Sequence, residues 1–558
     1  MAKISYRKNG GAITFDQNDW LSGLNPQFTT DLTGTPALQV GNGLSTAGSF
    51  NPFRFLGYAS PGFQLTNITN VSVVTAFLRN IALGSESSTT YGYAIGSNNL
   101  LHRLDVLGKT LSNSGSWPRT ISGAGTVTGF DVVAYNARVG SLSSSSPCAF
   151  YSYNNSDATT TWNIGRFIMP TNAFADTFMT VTPATPLIPT TTANGGSNLP
   201  HPMIIGADDV LYVGDGNRLH AYDGAVGING TFAANVLTLP QGYVITSFAP
   251  VSQPTPFLVV FAYYNAGANS ITPDTTSGGQ AKAFFYDYLS LDPTYVVDLD
   301  DRVVTAGFAW KGTIGCFTAG SNLVNDSEDR NFRLKIWNGS IFETSATFIE
   351  EPPIHGGVDI VGDSIQWAAG ITGQPPVIYS FGSPFEGTRA GLNRIGVGTG
   401  GTSRGLLRTV GGVAGYQVLS CGTTTSGGLQ FFSKGTYTDG ASVATISIQP
   451  EFSEGMKGKV TSVRIDFGKT STASGRSLNA YVVTESGGTS QILSSLALVD
   501  STNITKTYYT PISNVDGAFS TFFEIRPLLQ WTSGSGGSSA PVVRRIVVNY
   551  DEVNIENT

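Results

Sequence analysis

The stretch from Ile204 to Gly224, "IIGADDVLYVGDGNRLHAYDG", holds four aspartates, Asp208, Asp209, Asp215 and Asp223. Carboxylates at that density are what a calcium loop uses, provided several oxygens converge to within about 2.6 Å of one point. Here Asp208 and Asp209 precede one strand candidate, Val210 to Val213, and Asp223 follows a second, Arg218 to Tyr222. The carboxylates therefore fall at both ends of a hairpin whose turn is Gly214-Asp215-Gly216-Asn217. Gly and Asn tolerate the positive φ that tight hairpins require, so the aspartates read as residues that turn the chain.

Other chemistry is sparse. The four histidines, His102, His201, His220 and His355, stand apart from one another and from the cysteines, with no ligand spacing between them. "GTSRG", Gly401 to Gly405, fits the nucleophile-elbow pattern around Ser403, but that pattern needs a following helix and "LLRTV" reads as a strand. A glycosidase needs two carboxylates facing each other across a cleft. The candidates, Asp298, Asp300 and Asp301 in "VVDLDDRVV" and Glu350 and Glu351 in "FIEEPP", read as solvated loop charges. "NPFRFLG" around Arg54 only loosely matches the arginine motif of sialidases. The expectation is a protein that is not an enzyme, with no catalytic, cofactor-binding or metal-binding residues and no cofactor.

These residues sit in a chain of 558 residues with only 12% charged side chains, 67 glycines and a net charge of -7. Such a surface is mostly hydroxyl and amide, and it lacks the Lys/Arg runs that track phosphate. With 40% apolar residues the chain folds. Cys148, Cys316 and Cys421 are too far apart for a zinc site or a disulfide framework. The opening "MAKISYRKNGGAITF" carries no apolar h-region, so synthesis in the cytoplasm without signal-peptide secretion is expected.

Helical periodicity is absent, whereas short β-branched and aromatic runs such as "YVITSF", "FLVVFAYY" and "GDSIQWAA" alternate with Gly, Asn, Asp and Ser clusters. One element recurs: a strand ending in an Asp or Asn turn, at Asp105, Asn163, Asp223, Asp287 and Asn338, with weaker copies at Ser380 and Ser433. Its period of roughly 40 to 65 residues is that of a four-stranded propeller blade. About seven units fit between Pro52 and Ala441, and a pair of β-sandwiches is the alternative. From Ser442 the strands lengthen, as in a compact β-sandwich. The predicted fold is all-β: an extended N-terminal arm (1–50), a β-propeller-like domain (51–441) and a C-terminal β-sandwich domain (442–558).

"NSDATTTW", Asn155 to Trp162, resembles the Asp-box of sialidase-type propellers through Asp157, Thr161 and Trp162. As a whole, the Gly/Ser/Thr/Asn-rich, Cys-poor texture, the "LYVGDGNRLHAYDG" hairpin and the ending "APVVRRIVVNYDEV" resemble tailed-bacteriophage virion proteins. That resemblance implies a nozzle, tail-tube or hub-associated component of the tail, forming a homo-oligomeric ring with other tail and portal-adaptor proteins around a DNA exit path. DNA would be passing cargo, and the protein would reside in the virion. The alternative is a tail fibre binding host-surface glycan through aromatics such as Tyr58, Trp117 and Trp310; a sialidase- or depolymerase-like glycan hydrolase ranks third.

Overall fold

The computed structural model describes residues 7–9, 12–17, 63–68, 78–86, 88–113, 115–122, 127–138, 145–155, 164–176, 178, 200–223, 232–252, 255–265, 279–320, 332–348, 350–370, 376–382, 391–397, 405–410, 416–421, 429–437, 442–445, 456–469, 476–484, 489–497, 506–511, 523–531 and 542–554. Every regular element in them is a β-strand, as short apolar runs without a helical stripe require. Asp157, Asn163, Arg54, Tyr58 and Ser403 lie outside the described residues.

Seven antiparallel sheets follow one another along the chain, each laid down mainly by consecutive hairpins. The first comprises Leu78–Glu86, Thr89–Gly96, Leu100–Asp105 and Thr110–Leu111, with Arg119–Thr120 also pairing to its third strand. The second is Val127–Arg138, Ser145–Asn155, Ile164–Ile168 and Ala173–Ala175, and the third Met203–Ile205, Leu211–Asp215, Arg218–Tyr222 and Phe232–Thr238. The fourth is Tyr243–Val251, Phe257–Tyr264, Gly279–Tyr286 and Tyr295–Asp298; the fifth is Val303–Trp310, Thr313–Ala319, Phe332–Trp337 and Phe342–Phe348. The sixth is Val358–Val361, Ser364–Ala369, Val377–Gly382 and Gly391–Val397. The seventh takes Gly405–Val410, Tyr416–Cys421 and Leu429–Tyr437 from late in the chain and its outer strand, Phe63–Asn67, from far upstream.

The first strand of each sheet lies against the first strand of the next, and that of the seventh returns to that of the first. The core sits between neighbouring sheets. Phe150, Tyr222 and Phe178 fill the space between the second and third sheets, and Tyr212, Phe248 and Phe284 that between the third and fourth. Trp367 packs on Phe317, Phe348 and Tyr379 across the fifth and sixth. Because both faces of a sheet meet a neighbour, a strand such as "FLVVFAYY" is buried at six consecutive positions, Leu258 to Tyr263. Its continuous apolar run is what two covered faces demand.

The recurring Asp/Asn element ends the third strand of its sheet. The Asp105 carboxylate accepts the N–H groups of Leu107 and Gly108. Asp287 does the same for Leu289 and Ser290, and the Asn338 side-chain carbonyl for Ser340 and Ile341. Each is a side-chain turn that starts the connection to the outer strand. The "TTWNIG" copy is out of phase, since the third strand of its sheet begins at Ile164, just after Asn163.

Two further sheets use the remaining strands. One orders Arg7–Asn9, Ala12–Gln17, Val542–Asn554, Met456–Lys469 and Lys506–Pro511; the other orders Ser442–Thr445, Phe523–Trp531, Arg476–Thr484 and Thr489–Ala497. The opening hairpin of the chain therefore pairs with its last strand, Thr14 opposite Asn549.

Candidate functional site

The ring of first strands is where side chains from different sheets converge. Four of these strands carry a β-bulge at the same place: Arg79, Phe130, Thr246 and Thr305 are each skipped in the pairing with the second strand. A bulge re-aims the neighbouring side chains. The residues that follow are Asn80, Asp131, Ser247 and Ala306, and the first three are buried polar groups.

These three meet His355, which enters from the segment before the first strand of the sixth sheet. Asn80 Nδ2 donates to Asp131 Oδ1 at 2.6 Å, and Asp131 Oδ2 accepts the Met203 N–H at 2.7 Å. His355 Nε2 lies 3.2 Å from Asp131 Oδ2 and 3.0 Å from the Met203 carbonyl oxygen, which makes it a donor. His355 Nδ1 lies 2.7 Å from Ser247 Oγ, which itself accepts the Gly307 N–H at 2.7 Å. With the imidazole neutral and its proton on Nε2, the Ser247 hydroxyl donates to Nδ1. Gly356, with φ of +80°, brings the same loop so close to Asn80 that a Cβ there would lie 2.6 Å from its amide carbon. Five sheets and a loop from the sixth are joined through one carboxylate, one imidazole and one hydroxyl.

Asp131, His355 and Ser247 stand in the order of a carboxylate–imidazole–hydroxyl relay. The hydroxyl, however, is enclosed, with Ser247 at 0% exposure and His355 at 5%. A nucleophile must reach its substrate, so in this arrangement the group works as an internal lock between sheets. No spacing in the sequence announced it, because its members are contributed by separate sheets.

The aspartates of the hairpin separate into different roles. Asp208 accepts the Val210 N–H and the Tyr212 hydroxyl, the latter at 2.6 Å, and Asp209 adopts a φ of +62°. The turn is made by Gly216 at φ +59° with Asn217, and Asp215 belongs to the first strand, paired with Arg218. The expectation that Asp215 only turns the chain is corrected. It is fully buried, 3.3 Å from His220 Nε2 and 3.6 Å from His201 Nδ1. The His220 Nδ1 accepts the Asn235 N–H, so its proton is on Nε2, facing the carboxylate. Burial pushes the His201 pKa down. Both histidines reach Asp215 because Asp215 and His220 lie on the two paired strands of the hairpin and His201 precedes the neighbouring strand. Among the described residues no group of three metal-ligating side chains has the geometry to hold an ion.

The glycosidase candidates do not come together on a cleft. Asp301 is buried: Oδ1 lies 2.7 Å from Arg333 Nη1, and Oδ2 lies 2.6 Å from Thr318 Oγ1 and 3.0 Å from Lys335 Nζ. Glu350 is buried and accepts the Tyr379 hydroxyl at 2.9 Å. Both were expected to be solvated. Asp298 is exposed, next to Gln280 and Lys282. Of the aromatics expected to grip a glycan, Trp117 is buried among Tyr93, Phe167 and Phe174, and Trp310 is half-buried against Phe381.

The geometry defines an all-β protein built of small antiparallel sheets, with propeller-like structural neighbours. No protein-family model and no curated protein matches the sequence. Among solved structures the chain is similar to the Dos1 propeller, at 10% identity and a TM-score of 0.38, covering 69% of this chain and 96% of that one. It is also similar to an exo-β-1,3-galactanase from Phanerochaete chrysosporium, at 9% identity and a TM-score of 0.30, covering 87% and 100%. The expectation that the chain is not an enzyme is corrected on this finding, since a glycoside hydrolase stands among its structural neighbours. At such identities the likeness concerns the fold, and no substrate or activity passes to this chain with it.

Proposed function

We propose that the seven consecutive sheets are the blades of a closed seven-bladed β-propeller, that the two remaining sheets pack as a C-terminal sandwich, and that the protein is a structural component of a bacteriophage tail of nozzle or hub type. In this reading several copies form a ring, and the DNA exit path runs between copies. The observation that carries it is the buried polar network in which Asn80, Asp131, Ser247 and His355 tie separate sheets together. A block whose sheets are locked to one another suits a part that holds its shape under load, and it leaves the ring lumen to the assembly. The burial of Trp117 favours this reading over a fibre that grips glycan through that residue.

The test is electron microscopy and mass photometry of the purified protein, together with an assay for reducing sugar released from host-surface polysaccharide. A closed ring of copies is the expected result. A monomer that releases sugar would replace this reading with a glycan hydrolase.

A further inference from the structure

The outer strand of the fourth sheet, Tyr295–Asp298, and the turn before it expose a run of large apolar side chains: Leu289 at 88%, Leu291 at 72%, Tyr295 at 53% and Val296 at 42%. Ile341, 56% exposed, extends the patch onto the fifth sheet, whose Trp337 meets the Tyr295 ring at 6.5 Å. The outer strand of the fifth sheet, by contrast, exposes Glu343, Thr344 and Ser345. An edge strand invites pairing, and edges are ordinarily blunted with Lys, Pro or a bulge. Tyr295–Asp298 is blunted only by its shortness and by Asp298 at its end; it carries no Lys, Pro or bulge, and among the described residues no strand pairs with its outer side.

The turn that presents the leucines is held in place. Asp287 accepts the N–H groups of Leu289 and Ser290 and the Ser290 hydroxyl, the last at 2.9 Å. The chain on either side of the strand is acidic, with Asp287, Asp292, Asp298, Asp300 and Asp301 against Arg302, and Lys282 lies 3.9 Å from Asp298. Charge selects among occupants. An anionic membrane surface would be repelled. A second copy docking the same face onto itself would set these carboxylates against their equivalents.

We infer that this edge is a docking site for an extended segment of a partner protein that alternates apolar residues with Lys or Arg, added as a fifth strand beside Tyr295–Asp298. Backbone pairing would supply affinity, Tyr295 on one face, with the leucines of the turn, would take the apolar side chains, and Asp298 on the other face, which Val296 shares, would select the basic ones.

The test titrates a fluorescent peptide of alternating valine and lysine against the full-length protein, with a valine–glutamate peptide as control. Saturable binding of the lysine peptide is expected, weakening as salt rises. It should fall at least tenfold in a Leu289→Ser/Leu291→Ser variant and in Val296→Lys, whose substitutions are exposed and should leave the melting temperature unchanged. Absent binding, equal binding to wild type and variants, or equal binding of both peptides overturns the inference. So does sedimentation of the protein with vesicles of anionic lipid. The outcome does not depend on whether the protein forms a ring.

Discussion

His102 occupies the third strand of the first sheet at 1% exposure, and neither ring nitrogen has a hydrogen-bond partner. Burial lowers its pKa to about 4. Because the folded value lies below the unfolded one, the unfolded chain takes up the proton first. Stability is therefore full above about pH 6.5 and declines as pH falls toward 4, by roughly 3 kcal/mol if the whole shift is realised. Denaturant melts between pH 4 and 7 should show this slope, and His102→Leu should flatten it. A residual slope of the same sign is expected from His201, whose pKa burial also lowers. An unchanged slope in His102→Leu would remove this residue from the acid response. Single residues were the least legible scale in the sequence. Asp301 and Glu350 read as loop charges because each is adjacent to another acid or a proline, whereas their burial is decided by Arg333, Lys335 and Tyr379 on other strands.

At the level of elements the sequence spoke more clearly. "RLDVLG", "FYDY" and "IWNG" repeat because a third strand must turn sharply to reach the outer strand, and an Asp or Asn supplies the acceptor locally. Asp287→Ala and Asn338→Ala should each cost about 1 kcal/mol, as the loss of a comparable cap does. They should differ with pH. Backbone N–H groups from Ser290 and Leu289 hold the Asp287 carboxyl below its usual range, so its contribution is present above the unfolded carboxylate value of about 3.9 and is lost as pH falls through the lower folded value. The contribution of Asn338 should be independent of pH. Melting curves of both variants from pH 2 to 7 check this, and parallel profiles would contradict it. The residues that meet His355 were not legible because what Asn80, Asp131 and Ser247 share is a preceding bulge, which leaves no signature in residue type.

At the level of the whole molecule, strand spacing revealed a repeat, but closure is a long-range event with no local mark. Phe63–Asn67 gives no sequence sign that it completes a sheet begun at Gly405. Removing residues 18–67, which spares the opening hairpin paired to Val542–Asn554, should leave Leu429–Tyr437 as an open edge. Calorimetry should then show a lower melting temperature, and light scattering should show self-association, because unpaired edges recruit other chains. A shortened protein that melts and scatters like the full chain would mean that this strand adds nothing to closure.

That closure also has a consequence for biosynthesis. Thr66 cannot find Phe431 until about three-quarters of the chain has left the ribosome, nor Thr14 find Asn549 until nearly all of it has. At about 5–20 residues per second the wait for Phe431 is on the order of tens of seconds. During that time the early strand and the opening hairpin must stay soluble without their pairs. Their composition suits the wait: "FQLTN" and "AITFDQ" are short and each carries polar residues. Translation speed and chaperone supply, more than final stability, should therefore set the yield of folded protein.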